Sequence, residues 1–345
     1  MLQFYDVNTV LDQMSTVSYL MLFWARVDPY GFERSEDFDY ESYEELMSEY
    51  LAVLTQRSIK WSKLLKGKSK VQKNVKLKRY VRKGIPNEHR ALIWMTASGA
   101  QDQLEKNPGY YQSLLGAKHD PKLVDTICTD LNRTFPDNLQ FRKTSSPCLQ
   151  KALFNVLVAT GHHNPTVGYC QGMNFIAGYL LIITKDEEKS FWLMDALLSR
   201  ILPDYYSPAM LGLKTDQEVL GELVKIKIPG VWQTMMDHNV MWTLVVSRWF
   251  ICLYIDVLPV EVIVETSLQL IAFFFFTTFF GKKHHSLNSF VYFYACAALN
   301  AQIMASPPRG AVSVGAPSVG QRRVLHVIPG RCSRCHPPHT LSHHG

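Results

Sequence analysis

The amino-acid sequence predicts an all-α protein. Apolar residues recur at helical spacing, as in the stripe Leu149, Ala152, Leu153, Val156 and Leu157. Helix punctuation falls between the periodic segments, with Pro86, Gly99 and Pro108-Gly109 as examples. No segment shows the apolar–polar alternation of a half-buried strand.

Along the chain, residues 1–26 are weakly organised and hold at most a short helix. Asp6 and Asp12 stand where a signal peptide needs positive charge, and the apolar piece Tyr19 to Trp24 is very short, so no secretory leader is expected. An acidic block follows: Glu33, Glu36, Asp37, Asp39, Glu41, Glu44, Glu45 and Glu49. From Leu51 to Asn87 there is no acid, and Arg57 to Lys83 contains twelve basic residues. This pattern fits a solvated amphipathic helix and linker, or a positive face for an acidic partner or anionic lipid. Gly67-Lys68-Ser69 ends like a nucleotide-binding P-loop, but Ser62 stands where that motif needs its first glycine.

From Gly84 the pattern is helical. Pro86 suits a helix start, Arg90 and Trp94 lie one turn apart, and Gly99 ends the segment. Residues 122–132 form a helix bearing Ile127 and Asp130 that delivers Arg133 to the stop Phe135-Pro136. A loop to Pro147 precedes the stripe at 149–157, with Gly161 expected as its C-cap. Gln171 then lies between Gly168 and Gly172, and Asn174 is the expected N-cap of an apolar helix from Phe175 to Ile183. Thr215-Asp216-Gln217-Glu218 reads as a capping box opening a helix to Pro229. Val240 to Val257 is apolar almost all round and predicts a central helix.

With 345 residues, 47% hydrophobic and 19% charged, the chain can bury a large core. The net charge of +6 is unevenly placed: all 30 acids and 29 of the 36 lysines and arginines lie in residues 1–265. The basic surplus therefore belongs to the tail, and no nucleic-acid partner is expected. The seven cysteines are odd in number and scattered, which fits reduced thiols in a cytoplasmic protein rather than a disulfide framework.

Arg133 and Gln171, read as one site, come with no nucleophile, no general-base histidine nearby and no metal set. Such a pair suits phosphoryl transfer on a nucleotide held by another protein. A guanidinium stabilises charge developing on the transferred phosphoryl, and an amide can orient the attacking water. Asp130, one turn before Arg133, could aim the guanidinium. Spacing alone leaves open that Arg133 caps last-turn carbonyls, that Asp130 and Arg133 form an ordinary surface pair, and that Gln171 serves the backbone.

Three ordered blocks bear on that choice: Arg82-x-Gly84-Ile85-Pro86, Ile127-x-x-Asp130-x-x-Arg133 and Tyr169-x-Gln171-Gly172-Met173-Asn174. They resemble the signature blocks of the TBC domain, a family of GTPase-activating proteins for Rab GTPases. The resemblance implies a two-lobed, all-helical domain that serves vesicle trafficking and intracellular protein transport. It makes Arg133 an arginine finger and Gln171 a glutamine finger, with Asp130, Tyr169, Gly172 and Asn174 in support. The implied partner is a GTP-bound Rab. GTP and magnesium would belong to it, with no cofactor or metal in this chain.

The resemblance covers residues 27–261 and divides the chain into an N-terminal extension (1–83), a TBC-like helical domain (84–261) and a divergent tail (262–345). An Arg-Ile-Trp-Asp block expected next is absent, so the second lobe is expected to be incomplete and the tail poorly ordered. That leaves a second reading, a non-catalytic Rab-binding or membrane-associated adaptor. In the tail, Thr266 to Phe280 and Leu287 to Ala305 are uncharged runs of 15 and 19 residues. They could form a membrane hairpin, although the first is short for a span, or a collapsed segment. Cys332-Ser333-Arg334-Cys335-His336 matches a haem-attachment pattern, and with His339, His343 and His344 offers a weak zinc pattern.

Overall fold

The computed structural model describes residues 27–258, apart from 68–70, 72–73, 82, 147 and 256. The weakly organised residues 1–26, the tail's apolar runs and the Cys332–His336 motif lie outside the described residues. The chain separates into two units, Met1–Ala305 and Ser306–Gly345, and every described residue belongs to the first.

Among the described residues there are twelve α-helices and no strand: α1 (Tyr40–Leu65), α2 (Val75–Val81), α3 (Asn87–Ser98), α4 (Ala100–Lys106), α5 (Tyr110–Leu115), α6 (Pro121–Leu131), α7 (Leu149–His163), α8 (Met173–Thr184), α9 (Glu187–Ala196), α10 (Leu211–Lys227), α11 (Pro229–Asp237) and α12 (Trp242–Ile251). The all-α expectation holds. Their ends follow local chemistry. Asp39 Oδ1 accepts from Ser42 N at 3.0 Å to start α1, and Asp120 Oδ1 accepts from Lys122 N at 3.0 Å to start α6, with Pro121 at its first position. Gly99 adopts a left-handed φ of 77° and ends α3.

The core is built around α8, whose twelve residues are all buried. It packs against α3, α6, α7 and α9. Burying each large side chain here, such as Phe175, Ile176 or Leu181, contributes roughly 1.5–3 kcal/mol. Gly178 lets the Phe135 ring approach the helix closely, since a Cβ there would come within 2.9 Å of that ring. Phe135 in turn meets Phe32, Phe141 and Phe175 edge to face.

A loop at residues 27–33 braces this region. Asp28 Oδ1 accepts from the backbone N–H groups of Tyr30 and Phe32 at 2.8 Å, Gly31 O accepts from Leu139 N at 2.9 Å, and Asn138 Nδ2 donates to Tyr30 O at 3.0 Å. Buried Arg90 joins it through Tyr30 Oη at 2.6 Å. The segment after Arg133 is thus pinned from both sides.

Four sequence expectations change. Gly161 is not a C-cap: α7 runs on to His163, and Gly161 sits against Leu123, where a Cβ would come within 2.8 Å of Leu123 Cδ1. Asn174 is not an N-cap but lies in the first turn of α8, behind Gly172. The capping box at 215–218 lies inside α10, which begins at Leu211; Thr215 Oγ1 bonds back to Leu211 O at 2.9 Å. The Val240–Val257 segment is not a buried central helix. Only Val246 and Phe250 of α12 are buried, and Leu244 is 76% exposed.

Candidate functional site

The two sequence loops converge. The first leaves the C-terminus of α6 at Asn132, and the second enters α8 at Gly172. Asp130, 5% exposed, stands between them. Its Oδ1 accepts from Arg133 Nε at 2.7 Å, and its Oδ2 accepts from Tyr169 Oη at 2.5 Å. The Asp130–Arg133 pair is therefore not an ordinary surface pair. The aspartate side chain is 7% exposed and the arginine side chain 45%.

Gln171 is exposed and meets the guanidinium directly. With its amide oxygen turned toward Arg133, it accepts from Nη2 at 2.9 Å and Nη1 at 3.1 Å. The opposite orientation would set its NH₂ against the guanidinium donors. Arg133, Gln171 and Asp130, with Asp125, Thr126 and Thr129 from α6, line a shallow open depression of about 530 Å³.

A buried second link holds the loops together, and sequence reasoning missed half of it. Asn174 Nδ2 donates to Thr134 Oγ1 at 2.8 Å, and Thr134 Oγ1 donates to Asp130 O at 2.8 Å. Asn174 Oδ1 accepts from Gly172 N at 3.0 Å. Thr134 and Asn174 are 1% and 0% exposed. Thr134 directly follows the arginine, and a fully buried asparagine demands polar partners; together these are the signal that could have found it.

Gly172 has φ 109°, and a Cβ there would lie 3.0 Å from Ile251 O at the end of α12. Only glycine fits this backbone without strain. Tyr206 Oη also donates to Ile251 O, at 3.0 Å.

The electrostatics favour a fixed charge pattern. The hydrogen bond to Asp130 raises Arg133 above the usual arginine value, with partial burial opposing, so the guanidinium stays cationic. Burial, then the bond to Asp130, pushes the Tyr169 phenol far up, and it remains a donor. Burial and Asp130 also raise the Cys170 thiol, which keeps it neutral and poor as a nucleophile. Among the described residues no three His, Cys, Asp or Glu side chains gather as a metal site, and no helix is long and apolar enough to cross a membrane.

The arrangement thus offers an anchored cation beside an exposed amide, with no group suited to a covalent intermediate. Residues 87–301 match the family model of the Rab-GTPase-TBC domain. That match runs past residue 261, where the sequence resemblance was expected to end, and takes in the run from Thr266 to Phe280. The chain is 73% identical over 239 residues to growth hormone-regulated TBC protein 1-A of Danio rerio, covering 69% of this chain and 67% of that protein. It is 65% identical over 240 residues to growth hormone-regulated TBC protein 1 of Homo sapiens, covering 70% and 71%. A crystal structure of the Chlamydomonas flagellar RabGAP TBC domain superposes with a TM-score of 0.59 at 29% identity, over 71% of this chain and 81% of that one. On fold and sequence together, the chain belongs to the Rab-GTPase-TBC domain family.

Proposed function

We propose that this protein accelerates GTP hydrolysis on a Rab-family GTPase by lending Arg133 and Gln171 in trans. The observation that carries this reading is the convergence of these two side chains, 38 positions apart in sequence, on one open depression with a buried carboxylate aiming the guanidinium. In the transition state of phosphoryl transfer, charge spreads over the transferred group and the leaving oxygen. A cation placed there stabilises the transition state more than the ground state. An amide beside it both accepts from and donates to the attacking water. GTP and its magnesium belong to the partner, which binds in its GTP-loaded form; this chain contributes side chains and holds no cofactor of its own.

Asp130 and Tyr169 position the guanidinium, and Gly172 and Asn174 hold the glutamine loop. In the free protein Gln171 and Arg133 satisfy each other, so docking of the partner replaces that contact with nucleotide and water. The protein works in the cytoplasm and at the endomembrane surfaces where Rab-dependent trafficking occurs. Phosphate release from a panel of GTP-loaded Rabs tests the reading, with Arg133→Ala and Gln171→Ala alongside. An arginine supplied in trans is worth on the order of 10³–10⁵ in rate. Equal rates with wild type, with both variants and with no added protein would end it.

A further inference from the structure

We propose that the outward faces of the last turns of α1 and of α2 form a docking surface for an anionic membrane. This goes beyond the GTPase reading and does not rest on it. The surface lies upstream of residue 87, where the family match begins.

Both helices are fixed to the core by their inner sides. Trp61 and Leu64 of α1 and Leu77 and Val81 of α2 are buried. Trp61 Nε1 donates to Gly84 O at 2.9 Å, and its ring meets Tyr80 edge to face at 5.8 Å. Trp61 thus links the end of α1 to Tyr80 in α2 and to Gly84 beyond it, and both helices keep exposed positions away from these contacts. Exposed there are Lys60 and Lys63 from the last turns of α1 and Lys66 just after it, then Lys76 and Arg79 from α2 and Lys83 just after it. None of these six makes an ion pair among the described residues.

No acid occurs between Leu51 and Asn87 to neutralise them. Glu88 reaches the edge of the surface, where it accepts from Ser58 Oγ at 2.9 Å. Exposed aliphatic groups lie among the cations, with Ile59 at 39% and Val75 at 70%. Cations interspersed with apolar side chains at exposed positions of two helices match a broad polyanionic surface with an apolar layer beneath it. An acidic peptide would be better served by a cleft, and the depression described above is lined by other residues.

The full-length chain is sedimented with phosphatidylcholine vesicles that either contain or lack phosphatidylserine, at low and high salt. Wild type is expected to bind only the phosphatidylserine vesicles and to be released by salt. Each surface cation strengthens partitioning by roughly fivefold, so Lys60→Glu/Lys63→Glu/Lys66→Glu, which removes three cations and adds three repelling acids, weakens it by at least about a hundredfold. Lys76→Glu/Arg79→Glu/Lys83→Glu gives a similar loss and decides the matter if the first variant fails to fold.

Arg133→Ala keeps wild-type vesicle binding, so failure of the GTPase reading shows separately. No binding, equal binding to both vesicle types, or binding that survives both reversals would overturn the proposal. The last two results would move the attraction to the apolar or basic parts of the tail. Capture by soluble polyglutamate without vesicle binding would overturn it too, in favour of an acidic protein.

Discussion

Helices α8 and α12 read alike as apolar segments, yet the structure treats them in opposite ways. All twelve residues of α8 are buried, whereas α12 buries only Val246 and Phe250 and leaves Leu244 in solvent. The neighbouring α11 buries none of its residues. Composition says that a helix can be buried; the number of helices around it decides whether it is. The glutamine loop touches both regions, anchored on the α8 side by Asn174 and leaning on the α12 side against Ile251 O. Its accuracy therefore depends on the deep anchor, with the shallower helix as a stop.

The sharpest way to break this comparison is to cut the deep anchor's charged part. Asp130→Ala releases Arg133 and Tyr169 together. Misplacing a catalytic group by about 1 Å can cost on the order of a hundredfold, and a loss of that size is expected in phosphate release on a responsive Rab. Rates within a factor of two of wild type would show that the guanidinium needs no guide.

The buried link comes next. Thr134→Val keeps the shape but leaves Asn174 Nδ2 unsatisfied, at a cost of about 1–3 kcal/mol by denaturant unfolding. Thr134→Ser should restore most of it. Gly172→Ala tests the other side, because its φ and the nearby Ile251 O both oppose a Cβ. About 1–3 kcal/mol is expected there also, with a larger effect on rate than a distant substitution of equal cost.

A smaller effect comes from Asp216 in α10. Burial raises its carboxyl to about 6, against the lowering effect of the bond from Tyr205. The folded value lies above the unfolded one, so the protonated form is the one that folding favours. That contribution is full in acid and is lost as pH rises through about 6. Between pH 5 and pH 7.5 stability should fall by about 1–2 kcal/mol from this group. Asp216→Asn should flatten the thermal-melting profile over that range, and an unchanged slope would exclude Asp216 as its source. The mildest substitution is Leu244→Ser, expected within about 0.5 kcal/mol because the side chain is exposed. A much larger loss would mean that α12 is covered in solution.

Much of the fold was legible where local chemistry decides it. Pro86, Gly99 and Pro108-Gly109 mark real boundaries because a ring or a missing Cβ acts within a few residues. The convergence of Arg133 and Gln171 was legible too, though through the ordered motif blocks rather than through spacing. The misplaced features share a cause. Asp216 and Gln217 resembled capping residues, but their partners are Tyr205 and Ser247, and a tertiary partner leaves no local trace. Asn174 resembled a cap for the same reason, since its partner Thr134 lies 40 residues upstream. Val240–Val257 was over-read because apolar periodicity reports a face and not what covers it.

The clasp between Arg133 and Gln171 has a consequence for selectivity. The guanidinium already directs three of its five N–H groups at Asp130 and Gln171, which leaves one on each terminal nitrogen for a loose anion in solution. Opening it takes a surface that seats against the α6 side of the depression and supplies substitutes for both groups at once. On this reading the free protein is partly sheathed, and a nucleotide without its GTPase should bind here only weakly and should not be turned over.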